Sequence, residues 1–378
     1  MRDYQVVWRG IVGDSTGYAQ VSRHSVLALD DLGLDVRVEV FSNGNPIVPL
    51  EPSEQQRLLN LVKKPQSSGQ TVSVIHLQPN AYGNPSDKER YTKRIGFTVW
   101  ETDRLPEEWV PLCNDMDAII VPSQFNKTVF RESGVTVPIY VARHGIDAAK
   151  FYPGEAKLDL GEELPSTVFL SVCSWQHRKG LDVLLESYYR EFTNKDDVAL
   201  VIKTGGLPNT QEARNVIKQY RERLGLRYVP APIYVANDEF STIDMNNLYH
   251  TASCFVLPSR GEGVGLPYLE AMATGLPCIA PSWGGQTDFL NKTNGLILNG
   301  ELKHVNSKAA NFTWFRDNMK WFEPDRRHLG TLMREVYRNP KEAQRKGKKA
   351  YETVIPTWTW ENTIQDLVTI FDEVMEVR

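Results

Sequence analysis

Two carboxylates in one short stretch offer the clearest candidate chemistry. Glu262 and Glu270 lie in SRGEGVGLPYLEAMATGLPCIAP, residues 259–281. The run CFVLPSR before them predicts a strand and GEGVG predicts a turn. PYLEAMATG predicts a helix with Pro267 at its first position and its end at Gly275. Glu262 is then expected on the turn and Glu270 in the first turn of the helix. An ionised carboxylate only accepts hydrogen bonds and can hold two vicinal hydroxyl groups at once.

Each acid also has a structural explanation. Acids near a helix N-terminus are favoured by ~0.3–1 kcal/mol, which would suffice for Glu270. Glu262 alone could be a solvated loop acid. The spacing, the glycines and the position after a strand together are more specific than either residue by itself.

A second candidate site is the basic loop in SVCSWQHRKGLDVLLESY. A predicted strand ends at Ser174, the loop carries Arg178 and Lys179, and Gly180 opens a helix. Two cations beside a helix N-terminus suit a diphosphate. The alternative is an exposed basic pair before a helix.

Two glycine-bearing loops are weaker candidates for contact with a ligand. GIVGDSTGYAQVSRHSV carries Gly10, Gly13 and Gly17, and SWGGQTDF carries Gly284 and Gly285. Glycines let backbone N–H groups approach a phosphate or a sugar closely. The first loop is not the G-x-G-x-x-G dinucleotide fingerprint, and a tight turn explains either loop equally well.

Two side chains at predicted strand ends could act on an acceptor hydroxyl. His76 in VSVIHLQPN and Glu101 in TVWETDRLPEEW could orient or deprotonate it, although a structural role is the commoner one for a lone strand-end histidine. The triplet Asp115-Met116-Asp117 resembles a metal-binding D-x-D. The apolar strand AIIVPS follows that triplet instead of preceding it, so we interpret its acids as solvated helix-end residues and predict no required metal.

The surrounding pattern predicts two doubly wound α/β domains. Short apolar runs alternate with helical patterns, which is typical of parallel sheets covered on both faces. Helices are predicted at Gly17–Leu32, Ser123–Ser133, Gly180–Phe192, Thr210–Leu224 and Pro267–Thr274. Six strands are predicted in each half: Gln5–Val12, Asp35–Phe41, Val72–Gln78, Ile95–Trp100, Ala118–Pro122 and Ile139–Ala142, then Thr167–Ser174, Val198–Lys203, Ile233–Val235, Cys254–Leu257, Cys278–Ala280 and Gly295–Leu298. Ligands bind beyond the carboxyl ends of strands in such sheets, and the motifs fall there.

The composition further narrows the class of protein. The 378 residues carry a formal net charge of −4, so a broad electrostatic footprint for nucleic acid or anionic membrane is missing. Four dispersed cysteines without a CxxC pair favour buried, reduced thiols over a zinc site. No signal peptide and no run near the ~20 apolar residues of a membrane span stand out. The expectation is a soluble cytoplasmic protein, with peripheral membrane association left open.

The segment PSRGEGVGLPYLEAMATGLPCIAPSWGGQTDFL resembles the signature of glycosyltransferase family 4, retaining enzymes of the GT-B fold. Its acids match the E-x7-E pattern, RKG matches the family's basic pair, and TVWETDRLPEEW is similar to a segment of bacterial and viral members. An additional early arginine common in the family is replaced here by Cys173 and Ser174.

The resemblance implies a fold of two Rossmann-like domains facing across a cleft. The expected division is an acceptor-binding domain at 1–150, a nucleotide-sugar-binding domain at 151–355, and a C-terminal helix at 356–378 that returns to the first domain.

The resemblance also implies roles for the candidate residues. Glu262 would contact hydroxyls of the donor sugar, and Arg178 and Lys179 would neutralise the leaving diphosphate. Glu101 and His76 remain tentative catalytic residues. Donor binding is predicted for Glu270, Gly263, Val264, Gly265, Gly13, Gly17, Gly284 and Gly285.

The predicted function is retaining transfer of a hexosyl or pentosyl group from a nucleotide-sugar to a hydroxyl, without a cofactor or metal. The acceptor stays open among a saccharide, a lipid, a protein and a modified nucleic acid, as do the donor base, the linkage and the oligomeric state. The alternatives are a nucleotide-sugar epimerase or sugar phosphorylase on the same scaffold, a nicotinamide dehydrogenase and an inactive binding module. The missing fingerprint disfavours the dehydrogenase, and the joint presence of both acids and both cations disfavours the inactive module.

Overall fold

A computed structural model describes residues 2–42, 44, 47–48, 50–84, 86–237 and 240–376. The chain forms two compact units. The first comprises Met1–Trp100, Arg104–Gly145 and Trp358–Arg378, and the second comprises Glu101–Asp103 and Ile146–Thr357. The last two residues of the predicted C-terminal segment, 377–378, lie outside the described residues.

The first unit is built on a six-stranded parallel sheet in the order β2-β1-β3-β4-β5-β6. Its strands are β1 (Tyr4–Gly10), β2 (Asp35–Val40), β3 (Gln70–His76), β4 (Lys93–Phe97), β5 (Ala118–Val121) and β6 (Ile139–Val141). Its helices are α1 (Gly17–Asp31), α2 (Pro52–Lys63), α3 (Asp87–Arg90), α4 (Trp109–Asn114), α5 (Gln124–Glu132) and the C-terminal α13 (Trp360–Glu376).

The C-terminal helix is part of the first unit's core. Leu367 and Phe371 of α13 are fully buried in the same apolar cluster as Val6 and Trp8 of β1. These α13 positions lie four residues apart, so they share one face of the helix. Burial of this face attaches α13 to the sheet formed by the beginning of the chain.

The second unit is built on another six-stranded parallel sheet, in the order β12-β11-β10-β7-β8-β9. Its strands are β7 (Thr167–Ser174), β8 (Val198–Gly205), β9 (Ile233–Ala236), β10 (Cys254–Val256), β11 (Cys278–Pro281) and β12 (Leu296–Leu298). Its helices are α6 (Leu181–Glu191), α7 (Thr210–Leu224), α8 (Thr242–Thr251), α9 (Leu266–Ala273), α10 (Ser307–Ala310), α11 (Arg326–Arg338) and α12 (Pro340–Val354).

The prediction of two sheets with six strands each is confirmed. The interior strands are buried; in β7, for example, six of the eight residues are buried, and Phe169 and Leu170 are fully so. Parallel strands covered on both faces read as continuous apolar runs, which is why the sequence identified them.

An antiparallel hairpin escaped the sequence analysis. Strands β13 (Gly300–His304) and β14 (Lys320–Pro324) pair with each other in the second unit. All five residues of β13 are exposed, so GELKH has no apolar run that would predict a strand.

The start of α9 corrects one expectation. Gly265 is the N-cap, in the left-handed conformation at φ 89°, and the helix begins at Leu266 instead of Pro267. Glu270 is then the fifth helical residue and lies in the second turn. The macrodipole explanation for Glu270 loses its force, since that effect fades beyond the first turn.

All four cysteines are free and buried. In the described part of the chain, no helix combines the length and apolar character that crossing a bilayer requires.

Candidate functional site

The two loops that carry the predicted motifs meet at the carboxyl ends of β7 and β10 in the second unit. Arg260 N–H donates to the Arg178 carbonyl at 2.6 Å, and Ser259 Oγ donates to the same carbonyl at 3.2 Å. Gly180, at φ 70°, ends the short 3-10 turn His177–Lys179; a Cβ there would lie 1.9 Å from the Pro258 carbonyl oxygen. Only glycine therefore allows the basic loop to approach the acidic loop this closely.

Four side chains form what we call the carboxylate–cation cluster: Glu101, Arg178, Lys179 and Glu262. Lys179 Nζ lies 2.7 Å and 3.0 Å from the two carboxylate oxygens of Glu262. Arg178 bridges the two acids, with Nη1 3.3 Å from Glu262 Oε2 and Nη2 3.4 Å from Glu101 Oε1. The structure thus brings together four of the five predicted catalytic residues.

The cluster drives the pKa values of its two acids apart. Burial opposes ionisation of Glu262, but Lys179 and Arg178 outweigh it and lower the pKa of that carboxyl. Burial raises the pKa of Glu101, and the neighbouring Glu262 charge adds to this, while Arg178 offsets only part of it. Burial also disfavours the charged form of the Arg178 guanidinium, but Glu101 and Glu262 raise its pKa above the usual value. Acids with opposed shifts in one site are typical of active sites.

Glu270 lies in the same unit with a different partner. Tyr249 of α8 donates its hydroxyl to Glu270 Oε2 at 2.6 Å. Burial raises the pKa of Glu270, and the Tyr249 hydrogen bond offsets part of that increase. Tyr249 is itself 1% exposed, so this partner is fixed by packing. Tyr249 was not predicted from the sequence, because a single tyrosine in a helix carries no signal of its own.

The predicted donor-binding glycines have unequal surroundings. Gly263, Val264 and Gly265 are buried on the turn that links Glu262 to α9. Gly285 N–H donates to the Glu262 carbonyl at 2.7 Å, so this amide stabilises the turn instead of pointing at a phosphate, as the sequence analysis expected for the Gly284-Gly285 pair. Gly13 and Gly17 lie in the first unit, before and at the start of α1.

A buried arginine that sequence reasoning missed holds the two loops in place. Arg260 is 2% exposed and forms a two-pronged pair with Asp182 at 2.7 Å through both terminal nitrogens. Its Nε donates to Glu323 of β14 at 2.7 Å, and its Nη1 donates to the His177 carbonyl at 2.6 Å. Burial disfavours this charge, but Asp182 and Glu323 raise the pKa of Arg260 above its usual value. The guanidinium therefore joins α6, the basic loop and the hairpin.

His76 belongs to the first unit. It is 1% exposed at the end of β3, and its Nδ1 lies 2.8 Å from Ser22 Oγ, which also accepts from Trp8 Nε1 at 3.1 Å. Its ring contacts Phe97 at a centroid distance of 4.5 Å. Burial, together with nearby His144, lowers the pKa of His76 well below its usual value, so the ring is neutral.

The D-x-D triplet is engaged in ion pairs. Asp115 is the C-cap of α4 and pairs with Lys88 and Arg94, and Asp117 lies 3.7 Å from Lys93. Across the residues that the structure describes, no three or more His, Cys, Asp or Glu side chains are grouped to hold a metal ion.

The candidate residues lie inside regions that match two family models. Residues 165–311 match the family model Glycosyl transferases group 1, and residues 94–144 match the model Glucosyltransferase 3-like, N-terminal domain. The first match spans the basic loop, Glu262 and Glu270. The second contains Glu101.

A curated relative points to the same class. The chain is 29% identical over 269 residues to the lipopolysaccharide core biosynthesis mannosyltransferase LpsB of Rhizobium meliloti, which covers 68% of this chain and 72% of that protein. Seven further curated relatives are matched over 33% to 63% of their own lengths.

Among solved structures, the sucrose-phosphate synthase of Thermosynechococcus elongatus aligns with TM-score 0.71 and 15% identity, over 99% of this chain and 100% of that chain. HepE of Anabaena, solved in complex with UDP-glucose, aligns with TM-score 0.70 and 14% identity, over 98% and 99% of the two chains. The chain therefore has the GT-B fold, and the matches support the glycosyltransferase class for it.

Proposed function

We propose that this protein is a retaining, metal-independent glycosyltransferase that uses a nucleotide-sugar donor. The observation that carries the proposal is the carboxylate–cation cluster at the strand ends of the second unit, inside the region that matches Glycosyl transferases group 1. A hydroxyl-binding acid and a diphosphate-binding cation pair within hydrogen-bonding distance suit the two halves of a sugar diphosphate.

In this proposal the second unit binds the donor. Arg178 and Lys179 hold the diphosphate, Glu262 accepts hydrogen bonds from sugar hydroxyls, and Glu270 accepts them from the ribose. Lys179 and Glu262 satisfy each other at 2.7 Å. An arriving diphosphate would compete for the lysine, and the sugar hydroxyls would donate to the carboxylate, so each group exchanges one partner for another and neither charge stays buried alone.

The reaction breaks the bond between the anomeric carbon and the diphosphate oxygen and forms a bond from that carbon to the acceptor oxygen. Negative charge grows on the departing diphosphate, where Arg178 and Lys179 are already fixed. Preorganised charges of this kind stabilise a transition state more than flexible ones. The acceptor hydroxyl attacks from the face that the diphosphate leaves, and its proton passes to an oxygen of that diphosphate.

The substrate classes follow from the relatives. A mannosyltransferase among the curated relatives and a neighbour solved with UDP-glucose support a hexose donor carried by a nucleoside diphosphate. The first unit is proposed to bind the hydroxyl acceptor. The comparisons do not favour the alternative of an epimerase or a phosphorylase.

A donor panel tests the proposal. UDP-glucose, UDP-N-acetylglucosamine and GDP-mannose are each incubated with the protein, with and without saccharide acceptors, and the released nucleoside diphosphate is measured. Acceptor-dependent release with one donor is expected, and NMR of the product should show the donor's anomeric configuration. Inversion would refute the retaining route, whereas isomerisation of the donor without release of diphosphate would indicate an epimerase.

Chelation tests the metal-independent part. Addition of EDTA should leave the rate unchanged, because Arg178 and Lys179 supply the positive charge at the diphosphate. A rate lost with EDTA and restored by Mg²⁺ or Mn²⁺ would overturn this part of the proposal.

A further inference from the structure

Three residues that interrupt the sequence of the first unit belong to the second unit. Trp100 and Arg104 lie in the first unit, whereas Glu101–Asp103 lie in the second. This short segment brings Glu101 into the carboxylate–cation cluster. Its position therefore needs a cause within the second unit.

The hairpin of β13 and β14 supplies that cause. Asp103 N–H donates to the Lys320 carbonyl at 2.9 Å, and Lys320 N–H donates to Asp103 Oδ1 at 2.6 Å. These reciprocal bonds join the segment to the first residue of β14. A side-chain carboxylate that accepts a backbone N–H is a strong, charge-assisted contact.

A close backbone approach fixes the other end of the segment. A Cβ at Gly261 would lie 2.0 Å from the Glu101 carbonyl oxygen. Gly261 directly precedes Glu262, so the absence of a side chain lets the two acid-bearing segments touch. Glu101 is thus held between Gly261 on one side and the Asp103–Lys320 pair on the other.

The hairpin is itself tied to the cluster loops. Phe322 N–H donates to the Arg260 carbonyl at 2.8 Å, and Glu323 accepts from Arg260 Nε at 2.7 Å. The Trp321 ring lies 5.9 Å from the Arg260 guanidinium and 5.6 Å from the His177 ring. A rigid support therefore runs from the basic loop through Arg260 to Lys320.

We propose that Asp103 is a positioning residue that, with the Lys320 backbone, holds Glu101 beside Arg178, so that Glu101 acts at the transferred sugar as part of the donor site. The inference rests on the glycosyl transfer proposed above. The hairpin then has a positioning function, because it supplies the Lys320 backbone groups that bind Asp103.

Two properties of Glu101 should depend on this positioning. Its carboxylate is oriented by Arg178 at 3.4 Å, and it faces the charges of Glu262 and Lys179. Released into solvent, Glu101 would lose the burial that raises its pKa, and its pKa would fall toward the ordinary value. Displacement of a reacting group by about 1 Å can cost about a hundredfold in rate.

The test compares Asp103→Ala with Asp103→Asn and with the control Asp317→Ala. Asp317 lies in the same hairpin segment and also accepts a backbone N–H, from Ser307 at 3.0 Å. The Asp317→Ala substitution removes the same kind of contact, and Asp317 is not part of the segment that carries Glu101. Hydrogen–deuterium exchange of the peptide covering 98–106 is measured in each protein, together with the pH profile of kcat for the donor of the panel that is turned over.

Asp103→Ala should increase exchange in 98–106, lower kcat about ten- to hundredfold with little change in donor KM, and move the acid limb of the kcat profile to lower pH. Asp103→Asn keeps the acceptor oxygen and should restore most of kcat. Asp317→Ala should change exchange only near 305–319. An Asp103→Ala profile that matches the control would overturn the inference.

The exchange measurement also covers the other outcomes. If Asp103→Ala does not fold, slow exchange of 98–106 in the wild-type protein still supports the docked segment, and rapid exchange there overturns it. If the wild-type protein turns over none of the three donors, the proposed function fails while the exchange result still decides whether Asp103 holds the segment.

Discussion

The two units use the carboxyl ends of their parallel strands in opposite ways. In the second unit these ends carry Glu262, Lys179 and Arg178, whose charges are buried against one another. In the first unit the corresponding ends carry His76 and Phe97, which pack with Trp8 and with each other. Both regions are buried, but only the second retains its charges.

The two regions differ in how they offset the unfavourable free energy of burying polar groups. The second unit pairs every charge of its cluster with an opposite one, so the ion pairs offset the cost of burial and the groups can exchange partners for a charged ligand. The first unit keeps His76 and His144 neutral: burial lowers the pKa of His144 to about 3 and that of His76 well below the usual value. Charged chemistry is therefore expected from the second region, and structural support from the first.

The largest expected effect is at Glu262. Glu262→Gln keeps the shape but leaves Lys179 without its anionic partner and weakens the acceptance of sugar hydroxyls. We expect kcat to fall by about a hundred- to a thousandfold. The matched control is Glu186→Gln, because Glu186 also pairs with two cations, Arg190 and Arg326, on the outer part of the same unit. Equal rates for the two variants would remove Glu262 from the site.

The next effect is on diphosphate binding. Lys179→Met keeps the aliphatic stem and removes the charge. A charge-assisted hydrogen bond is worth about 1.5–3 kcal/mol, so the Kd for UDP should rise about ten- to hundredfold by calorimetry. Lys195→Met, at an exposed turn, is the control. Unchanged affinity in Lys179→Met would show that the basic loop does not hold the phosphates.

A smaller effect, visible mainly in the pH profile, is expected at Tyr249. Tyr249→Phe removes the hydrogen bond that partly offsets the burial-raised pKa of Glu270, so this pKa should rise further. Because Glu270 must be ionised to hold ribose hydroxyls, the acid limb of kcat/KM should move to higher pH. The donor KM should increase about two- to tenfold near that limb.

Tyr188→Phe is the control for Tyr249→Phe, since this buried hydroxyl donates to the Pro232 carbonyl at 3.0 Å, away from the proposed ligand contacts. A profile that shifts equally in both variants would mean that Tyr249 acts only through stability.

The smallest effect on catalysis is expected at His76. His76→Gln should leave kcat within about twofold and lower the free energy of unfolding by about 1–3 kcal/mol, because Ser22 loses a buried partner. Ser22→Ala should destabilise in the same direction. A hundredfold loss of kcat at unchanged stability would restore His76 as a catalytic residue and break the contrast between the two units.

The same histidines set the sign of the pH dependence of stability. Unfolded histidines bind a proton near pH 6.5, whereas folded His144 does so only near 3. Below pH 6.5 the unfolded state therefore binds more protons, and stability falls by up to about 1.4 kcal/mol per pH unit for each such histidine. Denaturant titrations between pH 7 and 5 would measure this slope, which should be shallower in His76→Gln.

Much of the fold could be read from the sequence because it is local in character. Thr167–Ser174 was predicted with the bounds that the structure has, since a central parallel strand is mostly buried and mostly apolar. The exposed hairpin strand GELKH has no such pattern, and its pairing with Lys320–Pro324 depends on residues far along the chain. Such non-local pairing is not visible in a short window of sequence.

The residues of the candidate site also divide into those that could be predicted from the sequence and those that could not. Glu262, Lys179 and Arg178 could be named because their spacing, the neighbouring glycines and their positions after apolar strands together resemble a known family's motifs. The Arg260 clamp, with partners at Asp182 and Glu323, could not, because an arginine in a loop is ordinary until its burial is known. The amide of Gly285 was assigned to a ligand, and only the folded chain shows it donating to the Glu262 carbonyl.

The amino-acid sequence by itself determined two parallel sheets and the charged residues that follow their strands. Both are visible in short windows of sequence, because buried strands are apolar runs and the charged residues come directly after them. Only the tertiary structure decided that Glu101 joins Arg178 in the second unit. The chain belongs to the first unit again from Arg104. The reason is physical: that placement depends on Gly261 having no side chain and on Lys320 meeting Asp103, and contacts between residues this far apart in the sequence exist only once the chain has folded.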